Sequence, residues 1–326
     1  MRATTLVLLL TSCRPTQQVG HNDPDAGVDG AVDAAPRWPI EFQDSAIKLN
    51  AVWGSGPTDI YAVGVNGFAD LILHSTGDGH WVEQPVGING ELYSIWGSGP
   101  NDVYVGGFGN TLLHSTGNGV WSLQTIPNIG VLEIWGSGPS DVYITFANSA
   151  GTVYHSTGNG TWSPFVVGDS TSIIATVWGP SATDVYFAGG NTPNDDAPYV
   201  VHGPSNLTSQ TLPPPPDMYK RDIFQVWGSG PNDLYAGGNS DGILHSDGGG
   251  TWTQQTGPQG GSTFLGIWGS GPNDVYMISD QVGVYHSTGN GTWIQDPDVH
   301  NRPMGIWGSS SHDIYIVGNS ILHETH

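Results

Sequence analysis

Along residues 37–326 the apolar positions fall in short runs, each ended by glycine, proline, asparagine or aspartate. The runs come in sets of four. The first ends on a tryptophan preceded by Val or Ile, as in Leu92-Tyr93-Ser94-Ile95-Trp96. A Ser-Gly-Pro turn follows, in which proline presets φ and a short Asp side chain reaches nearby backbone donors. The second run is Asp102-Val103-Tyr104 and its continuation to Gly107, and the third is Leu112-Leu113-His114-Ser115. After a Thr-Gly-Asn-Gly turn, the fourth opens on Trp121. Runs of this length, rich in β-branched and aromatic residues, predict strands.

The set repeats. Its first tryptophan recurs as Trp53, Trp96, Trp135, Trp178, Trp227, Trp268 and Trp307, at gaps of 43, 39, 43, 49, 41 and 39 residues. Four short strands in about 40 residues, repeated, predict the blades of a β-propeller. The fourth-strand tryptophan recurs at Trp81, Trp121, Trp162, Trp252 and Trp293, and the fourth repeat has Leu207 in its place. The seventh repeat stops after its third strand. Trp38 lies 15 residues before Trp53, and the other fourth-strand tryptophans lie 14 to 16 residues before the next motif tryptophan. The expectation is therefore an all-β, seven-bladed propeller, closed into a ring when the N-terminal strand around Trp38 completes the last blade. Closure removes the open interface a linear array would leave.

The stretches His-Ser-Thr-Gly-Asn-Gly-Thr-Trp (155–162 and 286–293) and Leu244–Trp252 resemble the Asp-box (BNR) repeat of sialidase-like and photosystem-assembly-factor-like propellers. The resemblance spans residues 37–326 and implies the propeller fold, with the box as a structural turn away from any active site. The turn here is one residue shorter than the box, and only Asp78 and Asp247 supply its acid; Asn118, Asn159 and Asn290 stand elsewhere.

Composition narrows the function. Lys plus Arg number 7 against 29 Asp plus Glu, a formal charge of −22. A protein that neutralises phosphates needs clustered cations, so nucleic acid and anionic headgroups are excluded as direct partners of residues 37–326. A sialidase-like site would need an arginine cluster, yet Arg37, Arg221 and Arg302 fall in three different repeats. No nucleophile elbow, zincin helix or phosphate loop is present. The expectation is that the chain is not an enzyme and has no cofactor, with a sialidase-type glycoside hydrolase as the weakest of the alternatives. The histidines at His74, His114, His155, His202, His245, His286 and His323 hold one place per repeat. Equivalent places on a propeller are a blade apart and do not converge on one ion, so a repeated structural hydrogen bond is expected and no metal. The motif aspartates from Asp59 to Asp313 read as turn caps for the same reason.

The N-terminus has its own pattern. One positive charge, the apolar run Leu6–Leu10 and then Leu10-Thr11-Ser12-Cys13 resemble a bacterial lipoprotein signal, in which the cysteine is lipidated. Cys13 is the single cysteine. Residues 1–12 are then a signal peptide. Residues 13–36, rich in Asp, Ala, Gly and Pro, form a flexible linker that cannot bury enough apolar surface to order itself. The expected location is the bacterial cell envelope, with membrane contact only through the lipid.

In a propeller the first-to-second and third-to-fourth turns share one face, and those are nearly uniform here. The other face carries the variable loops, where binding normally sits on a rigid scaffold. The fourth repeat contributes most, with Gly189–Tyr199 and Thr211–Phe224; the latter holds Tyr219, Lys220 and Arg221. Near the axis, Glu133, Gln225 and Arg302 would frame a polar pocket. The reading is a monomeric scaffold that binds an envelope protein through this face, with a lectin-like glycan-binding propeller as the alternative.

Overall fold

The computed structural model describes residues 37–127, 130–147, 149–191, 198–214, 222–239, 242–257, 263–279, 281, 283–299 and 302–325. These form seven four-stranded antiparallel sheets, with no helix among the described residues. Blades 1 to 6 run Ile47–Glu83, Leu92–Leu123, Val131–Val166, Ser172–Ser209, Ile223–Gln254 and Phe264–Gln295 in chain order. Within each blade the strands pair first to fourth in sequence. First strands of successive blades contact one another all the way round, including the last with the first, so they form the inner wall of a ring.

Blade 7 is assembled from both ends of the chain. Gly305–Ser310, Asp313–Val317 and Ser320–Glu324 supply three strands, and Ile40–Gln43 supplies the outermost. Ile40 pairs with Leu322 and Gln43 with Ser320. Trp38 is buried, donates its indole N–H to Asp296 at 2.9 Å, and sets its ring edge-on to Tyr276 at 6.4 Å. Arg37 bonds Glu324 at 2.8 Å, Asp296 at 3.0 Å and the Tyr276 hydroxyl at 2.9 Å. His323 lies between Glu41 and Asp313, at 3.0 and 2.7 Å. The closure predicted from the position of Trp38 is therefore present.

The repeated residues hold blade to blade. In each blade the motif tryptophan, the second-strand tyrosine and the third-strand histidine are directly opposite one another, as Trp96, Tyr104 and His114 are. Tyr104 and His114 stack at 4.4 Å. The fourth-strand tryptophan of one blade meets the tyrosine of the preceding blade edge-on: Trp121 on Tyr61 at 6.1 Å, Trp162 on Tyr104 at 6.1 Å, Trp293 on Tyr235 at 5.8 Å. Such contacts are worth about 0.5–1.5 kcal/mol beyond the area they bury. Blade 4 has no tryptophan to offer Tyr143. Phe165 and Phe187 take its place, with edge contacts of 6.2 and 5.6 Å.

The motif glycine has a steric reason. A Cβ on Gly97 would lie 2.5 Å from the Trp53 ring, and one on Gly54 would lie 2.5 Å from the Trp307 ring. Six of the seven motif tryptophans thus rest on the glycine that follows the next blade's tryptophan, across the closure as elsewhere; Gly179 in blade 4 is instead tight against the Asp184 carbonyl. The glycine of the third-to-fourth turn is tight in another way. Gly117 has φ +78° and its missing Cβ would sit 2.0 Å from the Pro100 carbonyl, so the two uniform turns dock on each other.

Candidate binding face

The uniform turns also hold the repeated polar groups. In blade 2, Ser98 Oγ donates to Asp102 Oδ2 at 2.6 Å, and Asp102 Oδ1 meets His114 Nε2 at 2.8 Å. The histidine–aspartate pair recurs in every blade; the sequence pointed to a repeated structural bond for the histidines and a turn cap for the aspartates, and the structure joins the two. Serine, histidine and aspartate invite comparison with a nucleophilic triad, but the order differs. In a triad the histidine sits between serine and carboxylate and takes the serine proton. Here the carboxylate sits between the other two, so the histidine has no access to that proton. Burial and the neighbouring Asp102 push the Tyr104 hydroxyl up to about 12, which keeps it a neutral stacking surface. Among the described residues no group of three or more His, Cys, Asp or Glu side chains is placed to hold a metal.

The opposite face is built differently. On the first strands of blades 1 to 6 the register slips by one residue, three positions before the motif tryptophan. A bulge of this kind re-aims a side chain at a barrel or propeller rim. The residues at this position are Asn50, Tyr93, Leu132, Ala175, Phe224 and Leu265, with Met304 equivalent in blade 7. Tyr93, Phe224, Leu265 and Met304 are half-buried, and Leu132 is 36% exposed. Among the described residues, none of these five large side chains belongs to a blade–blade core cluster. They stand on the innermost strands, near the end where each first strand enters its blade, outside every inter-blade core. The residue before each is the opposite case: Leu49, Leu92, Val131, Ile174, Ile223 and Phe264 are all buried in those cores. Sequence alternation missed this set because a bulge shifts the period. The signal was nonetheless there, as two successive large apolar residues where strict alternation allows one.

The structure separates the residues that sequence reasoning had placed together. Glu133 is a bridge between blades: its Oε2 accepts the Val177 N–H of blade 4 at 3.1 Å. Ser94 does the same one blade earlier, accepting the Ile134 N–H at 2.9 Å. Burial pushes the Glu133 carboxyl up to about 8, against the hydrogen bond from Val177 and the Thr176 hydroxyl beside it. Gln225 holds the same position in blade 5 and is half-buried. Arg302 is exposed, three residues farther from its motif tryptophan, in the left-handed region at φ +47°. Tyr219, Lys220, Arg221 and Cys13 lie outside the described residues.

No protein-family model matches the chain, and no curated protein matches it. Solved structures share its fold. A structure of YCF48 bound to D1 peptide aligns with TM-score 0.68 at 16% identity, covering 91% of this chain and 99% of that one. Virginiamycin B lyase from Staphylococcus aureus aligns with TM-score 0.72 at 15% identity, over 88% and 97% of the two chains. The WD40 propeller domain of Doa1 aligns with TM-score 0.68 at 10% identity, over 89% and 97%. At these identities the likeness is one of fold, and the class of protein it defines is a seven-bladed β-propeller. The expectation that the chain is not an enzyme is corrected by the second structure. That expectation rested on the missing sialidase-type residues, but a lyase with different chemistry is built on this fold, so the architecture is not reserved for binding proteins.

Proposed function

We propose that this propeller is a protein-binding scaffold of the bacterial cell envelope, anchored through a lipid on Cys13, with residues 14–36 as its tether. It takes its partner at the channel mouth on the variable face. The observation that carries this reading is the set Tyr93, Leu132, Phe224 and Leu265, each at a bulge and outside the blade cores, with Met304 at the equivalent position of blade 7. Apolar and aromatic side chains held on a rigid wall form the centre of a typical protein interface, surrounded by a polar rim. The uniform face offers no such surface, since its turns are occupied with one another. The peptide-bound YCF48 structure supports the reading to the extent that a propeller of this fold is recorded with a peptide.

A photo-crosslinking residue at Phe224 of the full chain, expressed in a bacterial envelope, tests it. Cross-links to a discrete protein from Phe224, and none from Ser98 on the uniform face, are expected. Displacement of that partner by a simple sugar would favour the glycan-binding alternative. Equal cross-linking from both faces would overturn the reading.

A further inference from the structure

On the uniform face, blade 4 departs from the other blades at several positions around one place. In blades 1, 2, 3, 5 and 6 the two turns of this face dock on each other. The positive-φ glycine of the later turn, Gly77, Gly117, Gly158, Gly248 or Gly289, leaves no room for a Cβ beside the carbonyl of a proline in the earlier one. In blade 4 that proline is Ala182 and that glycine is Ser205. The serine that caps the glycine in those blades, as Ser115 Oγ accepts the Gly117 N–H, is Gly203. The docking contact is gone. A cleft of about 200 Å³ stands between the two turns, lined by Thr183, His202, Gly203, Ser205 and Asn206.

The same departures release polar groups. In the six other blades the motif serine donates to the aspartate, as Ser98 does to Asp102. Pro180 stands there in blade 4, so Asp184 holds His202 at 2.6 Å without a serine bond. Asn206 occupies the place at which Asp78, Asn118, Asn159 and Asn290 each accept the N–H two residues on. Among the described residues its side chain makes no such bond, and the Ser205 hydroxyl makes none either. His202 is the most exposed of the seven repeated histidines, with 36% of its side chain in solvent against 11–29% for the rest. Stacking on Tyr186 at 4.5 Å and the bond to Asp184 fix its plane. A carboxylate only accepts, so that bond keeps the proton of the neutral imidazole on Nε2 and leaves Nδ1 as an acceptor.

We propose that this cleft is a carbohydrate site, which takes one sugar ring through adjacent hydroxyls. Sugar hydroxyls donate and accept at once, and the lining offers the matching mixture: an imidazole, two hydroxyls and an amide. The lining holds no cation and the chain carries a formal charge of −22, which disfavours an anionic ligand. It holds no large apolar side chain, which disfavours an apolar one. Leu207, 38% exposed, lies over Gly203 at the edge, where a Cβ would stand 2.5 Å from its side chain. It gives the C–H face of a sugar ring an apolar contact. The site lies on the face opposite the proposed protein interface and stands independently of that reading.

Saturation-transfer NMR of the full chain tests it, with methyl β-D-glucopyranoside, methyl α-D-mannopyranoside and methyl β-D-galactopyranoside, each at about 10 mM, enough to fill a millimolar site. Transfer to at least one of the three is expected. Ser205→Ala with Asn206→Ala is expected to weaken binding about tenfold or more, the scale of two lost hydrogen bonds. Both side chains are exposed and outside every blade core, so this variant keeps the fold. Asn118→Ala, at the equivalent place in blade 2, should leave binding within about twofold. Equal weakening by the blade 2 variant, or binding unchanged in the double variant, would put the sugar outside this cleft and overturn the proposal. No transfer to any of the three sugars would overturn it too. Neither result touches the protein-binding reading, which is decided by cross-linking from Phe224.

Discussion

The two halves of each innermost strand obey different rules. From the β-branched residue through Trp-Gly-Ser-Gly, the blades are nearly identical, and six of the seven tryptophans lie against the next blade's glycine. Before the bulge comes a triplet: Lys48-Leu49-Asn50, Glu91-Leu92-Tyr93, Gly130-Val131-Leu132, Ile173-Ile174-Ala175, Asp222-Ile223-Phe224, Thr263-Phe264-Leu265 and Arg302-Pro303-Met304. Its middle residue is always apolar and buried, and its outer residues change freely. One strand therefore carries a part that joins blades and a part that varies from blade to blade. Uniformity follows from the joining task, because every blade meets the same neighbour. The variable part is free of that constraint, and it is the part proposed above to meet a partner.

The comparison is broken most severely at the closure, where the joining contacts are made by a strand from the other end of the chain. Removing residues 37–43, or replacing the buried Trp38 by alanine, strips an edge-on ring contact and leaves Asp296 without its indole donor. Loss of a buried tryptophan alone costs about 3–5 kcal/mol. A melting temperature lower by about 10 °C is expected for Trp38→Ala, and no cooperative transition for the deletion. A full melting temperature in the deleted chain would refute the closure.

Gly97→Ala tests the motif half by itself. The new methyl would meet the Trp53 ring and the Asp102 carbonyl, and overpacking of this kind costs about 1–3 kcal/mol. The expected result is a lower urea midpoint with an unchanged slope. Gly99→Ala, whose Cβ would meet nothing within 4 Å, is the control and should move the midpoint far less.

Glu133 sits on the boundary between the halves. Its folded carboxyl titrates at about 8 against an ordinary 4.5, so the folded chain binds a proton that the unfolded chain has lost. Stability from this group is complete below about pH 4.5 and is lost as the pH rises through about 8. Glu133→Gln keeps an acceptor for the Val177 N–H and removes the ionisation. It should raise the melting temperature at pH 9, on the order of 2 kcal/mol in stability once partial solvent contact is allowed for, and leave it unchanged at pH 4. No pH dependence in the difference between the two proteins would place Glu133 in water.

The closure has a pH signature of opposite origin. Burial alone would lower the His323 pKa, but the hydrogen bonds to Glu41 and Asp313 outweigh it and hold the imidazolium above its ordinary 6.5. Glu41 lies below its ordinary 4.5: burial opposes this, and the bonds from His323 and Trp81 overcome it. The histidine contribution is complete below pH 6.5 and fades as the pH rises through the folded value. The glutamate contribution is complete above pH 4.5 and fades as the pH falls. His323→Gln should therefore lower the melting temperature most between about pH 4.5 and 6.5 and progressively less in alkaline buffer.

The smallest stability effect belongs to the mouth. Phe224→Ser and Leu132→Ser touch no blade–blade core, so stability should change by less than about 0.5 kcal/mol. Partner cross-linking should nonetheless be lost. A large loss of stability instead would show that the ring packs internally and is not presented to a ligand.

What the chain declares by itself is what every blade shares. The spacing of tryptophans counted the blades, the orphan Trp38 located the closure, and the recurring histidine and aspartate each announced a structural role, because identical neighbours impose identical residues; that they bond to each other was decided by the fold. The rest depended on contacts between different blades or on the local course of the backbone. Phe165 and Phe187 filling the place of the absent blade 4 tryptophan come from residues 22 positions apart. The change of Glu133 from a pocket residue to a bridge depends on a backbone N–H one blade away. The mouth ring depends on a bulge, which inserts one residue and reverses the side-chain alternation that a sequence reader counts on. Repetition is local information and can be read along the chain. The departures from it are settled only when the blades meet.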